Sequence, residues 1–233
     1  MMRIRVARPL AKRIFGFLLV FSPFLLPTPT PGQTGPKRSL IRQSIDENNL
    51  TLLKGNTYPL ARPEFDRGAA PLSLPMQRML LVLKRSSEQE AALASLLDQQ
   101  QDKSSPNFHQ WLTPEQFGQQ FGPTDEDIQA ATGWLQSHGF LVNKVTKGRT
   151  VIEFSGTAEQ VQEAFRTTIH KYVVDGADHW ANATDPQIPS ALAPVVVGVN
   201  SLHDFRRKPM NHYAGVFRKS RATGEVNAVK AQF

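Results

Sequence analysis

Apolar residues recur at helical spacing most clearly between Ser104 and Phe140. Thr113-Pro114-Glu115-Gln116 supplies a capping hydroxyl, a proline at the first helical position and a glutamine three residues past the cap. Phe117 and Phe121 fall four apart on one face, and Gly122-Pro123 stops that helix. Thr124 caps the next one. Asp125, Glu126 and Asp127 charge its first turn, Ile128, Ala131 and Leu135 mark its buried stripe, and Gly139 ends it.

Around this helix pair the pattern changes to strands. Met79 to Lys84 is a nearly continuous apolar run suited to a central strand. Ser87-Glu88-Gln89-Glu90 reads as a capping box, and Leu93, Leu96 and Leu97 are expected to give the following helix its buried face. Phe140–Val145 and Thr150–Phe154 flank Lys147-Gly148, which predicts a hairpin. Thr157 caps a helix carrying Val161, Ala164 and Phe165, and Ile169–Val174 is expected to close the sheet. The fold class that follows is α+β: an antiparallel sheet of split βαβ, ferredoxin-like order with a helix pair inserted in its first crossover. Downstream, the run Ala191 to Val199 fits a short helix or a buried strand, and periodicity does not choose between them. Residues 33 to 75 are turn-rich, with one short strand expected at Leu50–Leu53, and read as an ordered lead-in on the domain surface.

Charge refines this picture. The net charge is +7, but residues 1–40 carry seven Lys/Arg and no acid, and residues 206–233 carry seven basic side chains and one acidic. Residues 41–205 hold 13 basic and 19 acidic side chains, so an acidic body lies between two basic ends. Arg3, Arg5, Arg8, Lys12 and Arg13 precede the 13-residue apolar run Ile14–Leu26, the layout of a secretory signal peptide. That run is short for a membrane span and Pro23 interrupts it, so a membrane anchor is the weaker reading. The expected division is a signal peptide over 1–33, a lead-in over 34–73, a domain over 74–205 and a basic tail over 206–233. Membrane contact is expected only through the signal segment.

Few chemistries remain open. With no cysteine, disulfides, thiolate zinc sites and cysteine nucleophiles are excluded. His109, His138, His170, His179, His203 and His212 form no metal-binding spacing, and no nucleophile elbow or P-loop occurs. No cofactor, metal or catalytic residue is expected. His109 reads as a packing residue, His138 as a helix C-terminal cap, and Trp111, Trp134 and Trp180 as core or half-buried anchors. Asn49-Leu50-Thr51 and Asn182-Ala183-Thr184 match the glycosylation sequon, a pattern that recurs by chance. RNA binding by a split βαβ sheet needs stacking aromatics on its central strands. Met79–Lys84 and Thr150–Phe154 offer one phenylalanine between them, and the body is acidic, so no nucleic-acid partner is expected.

The stretch Ser105-Pro106-Asn107-Phe108-His109-Gln110-Trp111-Leu112-Thr113-Pro114-Glu115-Gln116-Phe117 resembles the signature of the pro-kumamolisin activation domain. That domain is the propeptide of the sedolisin–kumamolisin serine-carboxyl peptidases. Further matches are Gly139-Phe140, Phe154-Ser155-Gly156-Thr157, Ala164-Phe165, Ile169-His170-Lys171-Tyr172, Pro186-Gln187-Ile188-Pro189 and Leu202-His203-Asp204-Phe205, so the resemblance spans Leu74 to Phe205. It implies a partner, the catalytic domain of such a peptidase in cis or in trans, whose folding the propeptide assists and whose active site it covers until acid-triggered removal. The family's Ser, Glu and Asp catalytic set and its calcium site have no position in this sequence onto which they can be carried. The resemblance also places the tail where a linker approaches the active site, which makes Arg206, Arg207 and Lys208 candidate partner contacts. His170, His179 and His203 are candidate pH sensors. A secreted binding module with no peptidase partner is the alternative.

Overall fold

The computed structural model describes residues 37–205, 216–221 and 223–229. The expected signal peptide therefore lies outside the described residues. Among the described residues, no helix is long and apolar enough to cross a membrane.

In chain order the strands are β1 (Leu50–Leu52), β2 (Asp66–Ala69), β3 (Pro75–Leu83), β4 (Leu141–Val145), β5 (Val151–Thr157), β6 (Ile169–Val174), β7 (Ala177–Asn182), β8 (Gln187–Pro189), β9 (Val196–Asn200), β10 (Val216–Lys219) and β11 (Val226–Val229). The helices are α1 (Ser87–Gln101), α2 (Pro114–Phe121), α3 (Asp125–Ser137) and α4 (Ala158–Phe165). The domain is thus α+β, with every strand pairing antiparallel. Its main sheet has four strands in the order β4-β5-β3-β9. On β3 the alternating Met79, Leu81 and Leu83 point inward, with Ile152 and Val199 opposite Leu81 on the flanking strands. These residues meet Ala131, Trp134 and Leu135 of α3 and Val161, Ala164 and Phe165 of α4 in one core. Trp134 stands edge-on to Phe165 at 5.2 Å, and Phe140 edge-on to Phe154 at 5.1 Å.

Several expected elements form as read. Thr113 Oγ accepts from the Gln116 amide while Gln116 Oε1 accepts from the Thr113 amide, a closed capping box. Thr124 and Thr157 cap α3 and α4, and Gly139 takes a left-handed φ of 77° after α3. The β4–β5 turn falls at Lys147-Gly148, closed by Arg149 N donating to Thr146 O at 2.8 Å.

Other readings need correction. Ile169–Val174 does not join the main sheet: β6 lies between β2 and β7 in a separate three-stranded sheet. The cause is Asp175-Gly176. Both residues have positive φ, 51° and 74°, the backbone of a two-residue hairpin turn, which folds β7 straight back onto β6. The vacant edge of the main sheet is filled by β9, so the run Ala191 to Val199 is resolved into a short 3-10 turn, Ser190–Leu192, followed by a strand. The box at the start of α1 lies one residue earlier than expected, on Ser86 and Gln89. Gln89 Nε2 also donates to Gly122 O at 3.0 Å, a tertiary bond that selects this register. Finally, α1 packs on α2 rather than under the sheet, so Leu93 and Leu96 are only half-buried and Leu97 is 52% exposed.

Candidate functional site

The near-continuous apolar run of β3 has a geometric consequence. Its inward residues build the core, while Leu80 and Val82 alternate onto the opposite face. Register places Val151 beside Val82, Glu153 beside Leu80, and Lys144 beside Glu153 on that same outer face. Leu141, 68% exposed, lies opposite Ser155 at one end, and Val197 is exposed at the β9 edge. An apolar rim thus surrounds one charged cluster. Arg78 Nε and Lys144 Nζ approach Glu153 at 3.3 and 3.2 Å. The Lys144 hydrogen bond, with Arg78 beside it, holds the Glu153 carboxyl below its ordinary range.

Two shallow grooves border this face. One, of about 500 Å³, runs between the Gly55–Pro59 loop and β9, and the other, of about 420 Å³, between Arg78, Leu80 and Trp180. They share Ser201, His203 and Phe205 as walls. His203 leans on Tyr58 with ring centroids 4.3 Å apart, its Nδ1 buried without a partner, and burial lowers its pKa. His170 Nδ1 lies 2.8 Å from Asp66 and His179 Nδ1 lies 3.2 Å from Asp204, with His179 also stacked on Phe205 at 4.2 Å. His170 and His179 thus each pair with a carboxylate, His179 and His203 both pack on Phe205, and of the three only His203 borders the grooves. Arg206, Arg207 and Lys208 lie outside the described residues. Among the described residues, no group of three acidic or histidine side chains could hold a metal ion.

The signature stretch proves to be packing. Gly118 on α2 and Gly122, which caps that helix, lie against the β4–β5 turn, where an added Cβ would strike Lys147 O and crowd Arg149. Glu115 with Lys147, and Asp125 with Arg149, tie the same turn to the helices at 2.6 and 2.8 Å. His109, with a left-handed φ of 54°, stacks on Phe108 and donates its amide to Gln100 O at the end of α1. His138 caps α3 as read, while its Nε2 lies 3.1 Å from Glu47. Trp111 corrects its expectation: it is 65% exposed because the loop is pinned through Gln100 and Gln110 rather than through the indole. Asn182 of the second sequon is buried and donates to Asn56 O and Thr184 O.

The outer-face cluster was not singled out from the sequence. Its signal is present in both strands: Glu153 alternates against Ile152 and Phe154, and Leu80 and Val82 alternate against a core set already complete without them.

The family model "Pro-kumamolisin, activation domain" matches residues 66–205. Xanthomonalisin of Xanthomonas sp. (strain T-22) is 31% identical over 163 residues, 68% of this chain and 20% of that protein. Sedolisin of Pseudomonas sp. (strain 101) is 30% identical over 143 residues, 60% of this chain and 24% of that protein. Aorsin of Aspergillus oryzae (strain ATCC 42149 / RIB 40) is 27% identical over 92 residues, 39% of this chain and 14% of that protein. The chain spans about a quarter or less of the length of the curated relatives it matches. With the model covering more than half of its residues, the chain belongs to the pro-kumamolisin activation-domain family, the propeptides of sedolisin-family peptidases.

Proposed function

We propose that this chain is an exported propeptide that assists the folding of a sedolisin-type catalytic domain, covers its active site, and is shed in acid. The observation that carries the reading is the outer face of the main sheet. A strand apolar on both sides is built for a sheet covered on both sides. Here α3 and α4 cover one side, while Leu80, Val82 and Val151 remain half-exposed on the other. A partner domain is the natural cover. The order β4-β5-β3-β9 supports reading the sheet as a split βαβ, ferredoxin-like arrangement, with α1 to α3 in the first crossover and α4 with β6 to β8 in the second.

In this reading residues 1–33 direct export, 34–73 form a lead-in, 74–205 form the activation domain, and 206–233 lead toward the active site. Arg206, Arg207 and Lys208 meet carboxylates of the catalytic cleft. Such pairing lowers those carboxyl pKa values, so the attraction is present above the ordinary range and lost as pH falls through the lowered values. His203 adds to release, because protonation puts a charge into a rim built for a neutral ring. His170 and His179 instead pair with carboxylates inside the domain, Asp66 and Asp204.

Inhibition in trans tests the role. The chain should inhibit a sedolisin-family catalytic domain near neutral pH and lose inhibition in acid. Arg206→Ala/Arg207→Ala/Lys208→Ala should flatten that pH dependence. No inhibition at any pH would sink the propeptide role, and identical profiles for both proteins would leave the tail a plain linker.

A further inference from the structure

The lead-in from Lys37 to Thr57 crosses the domain with only the three-residue β1 as regular structure. Its attachments end repeatedly on carboxylates. Asp127, in the first turn of α3 and only 1% exposed, accepts from Ser39 Oγ at 2.6 Å, Leu40 N at 3.0 Å and Ile41 N at 2.9 Å. Asp185, just before β8, accepts from Gly55 N at 2.9 Å, Asn56 N at 2.8 Å and Thr57 Oγ1 at 2.9 Å. Between them Glu47 accepts from Trp134 Nε1 at 2.9 Å, and its second oxygen is buried without a partner. Asn56, once fixed by Asp185, accepts from Val199 N at 2.8 Å and so closes part of the β9 edge.

We propose that the two ends of this strap, residues 39–41 and 55–57, are acid-releasable, held while Asp127 and Asp185 are ionised and freed from α3 and β9 as these take a proton, with β1 and the main sheet still folded. Three donors converge on each carboxylate. A protonated carboxyl retains less acceptor capacity and brings a donor of its own into a site that supplies donors. Burial acts to raise both pKa values, but the hydrogen bonds from the strap outweigh it and leave both lowered. Attachment is therefore complete above the ordinary carboxylate range and lost as pH falls through the lowered values. The charged groups at the start of α3 include Lys37, on the Gly118 and Gly122 carbonyls at 3.1 Å, and the Asp125–Arg149 pair; His138 faces Glu47. Lys37 bonds backbone carbonyls and Arg149 bonds Asp125, so neither holds the Asp127 carboxylate. Hydrogen-bond donors of the strap, rather than a cation, hold Asp185. Between the two carboxylates the segment is held independently of them, by the β1–β8 ladder, by Leu53 N donating to Pro186 O, by Asn49 and Thr51 on Ser190, and by Leu53 in the core, so release is confined to its ends.

The strap goes beyond the propeptide reading and is testable without a catalytic domain. Amide exchange of the full chain, corrected for intrinsic rates, is followed at Leu40, Ile41, Gly55 and Asn56 from pH 7 to pH 3. The opening constant should rise below the ordinary carboxylate range, by up to about tenfold per pH unit for each carboxylate linked to opening. Leu81 and Ile152 should stay protected. Asp127→Asn should raise exchange at Leu40 and Ile41 already at pH 7, by about tenfold or more for a lost charge-assisted bond, and Asp185→Asn should do so at Gly55 and Asn56. If one variant does not fold, the wild-type series and the other variant still decide. Strap amides as protected at pH 3 as at pH 7, or strap and sheet opening together, would overturn the proposal.

Discussion

His203 shows how much a single side chain here depends on its surroundings. Its ring packs on Tyr58, Nδ1 is buried without a partner, and burial lowers its pKa. The sign follows directly. Unfolded chain takes up the proton near pH 6.5, while folded chain resists it, so stability is full above that value and declines as pH falls toward the lowered one. His203→Leu should remove part of the decline between pH 7 and 5, read from urea midpoints at each pH. This window lies above the ordinary carboxylate range, so Asp66, Asp127 and Asp185, all lowered, do not contribute to it. Parallel pH curves for the two proteins would show that the ring is not a sensor. From the sequence, His203 was one of three candidate pH sensors, with nothing to separate it from His170 and His179. Tyr58, which creates its environment, lies far away in the chain.

Elements divide by the range of their signals. The caps of α2, α3 and α4 involve residues three apart, and all were legible. The register of α1 was not, because two adjacent serines offered similar boxes and Gln89 chose between them through Gly122, 33 residues away. The misplacement of β6 has a local remedy: Asp-Gly between two strand-like runs is a hairpin signal that outranks apolar content. That turn carries a prediction. Gly176 has a φ of 74°, so Gly176→Val should destabilise the domain by about 1–2 kcal/mol, the cost of forcing a side chain into left-handed backbone. Thermal or urea unfolding measures it, and an unchanged midpoint would mean that the β6–β7 turn does not need its observed conformation. The strap was illegible for the opposite reason, since Asp127 meets Ser39 across 88 residues and Asp185 meets Thr57 across 128.

At the scale of the molecule, the apolar excess of β3 was read correctly as a central strand, yet its meaning lay outside the chain's own packing. Met79, Leu81 and Leu83 suffice for the core, and Leu80, Val82 and Val151 add a second apolar surface interrupted by the Arg78–Glu153–Lys144 cluster. A sequence cannot reveal that a strand's second side lacks an internal cover until the topology is known. The most direct measurement is therefore calorimetric binding at neutral pH between this chain and a sedolisin-family catalytic domain, comparing wild type with Leu80→Lys/Val82→Lys. Both positions are half-exposed, so the variant should keep its circular dichroism and cooperative melting. Wild type should bind. Two lysines placed in the covered face should weaken binding by about a hundredfold or more, the scale set by burying uncompensated charge at an interface. Equal affinity of the two folded proteins would contradict the assignment of the outer sheet face as the surface that covers the partner.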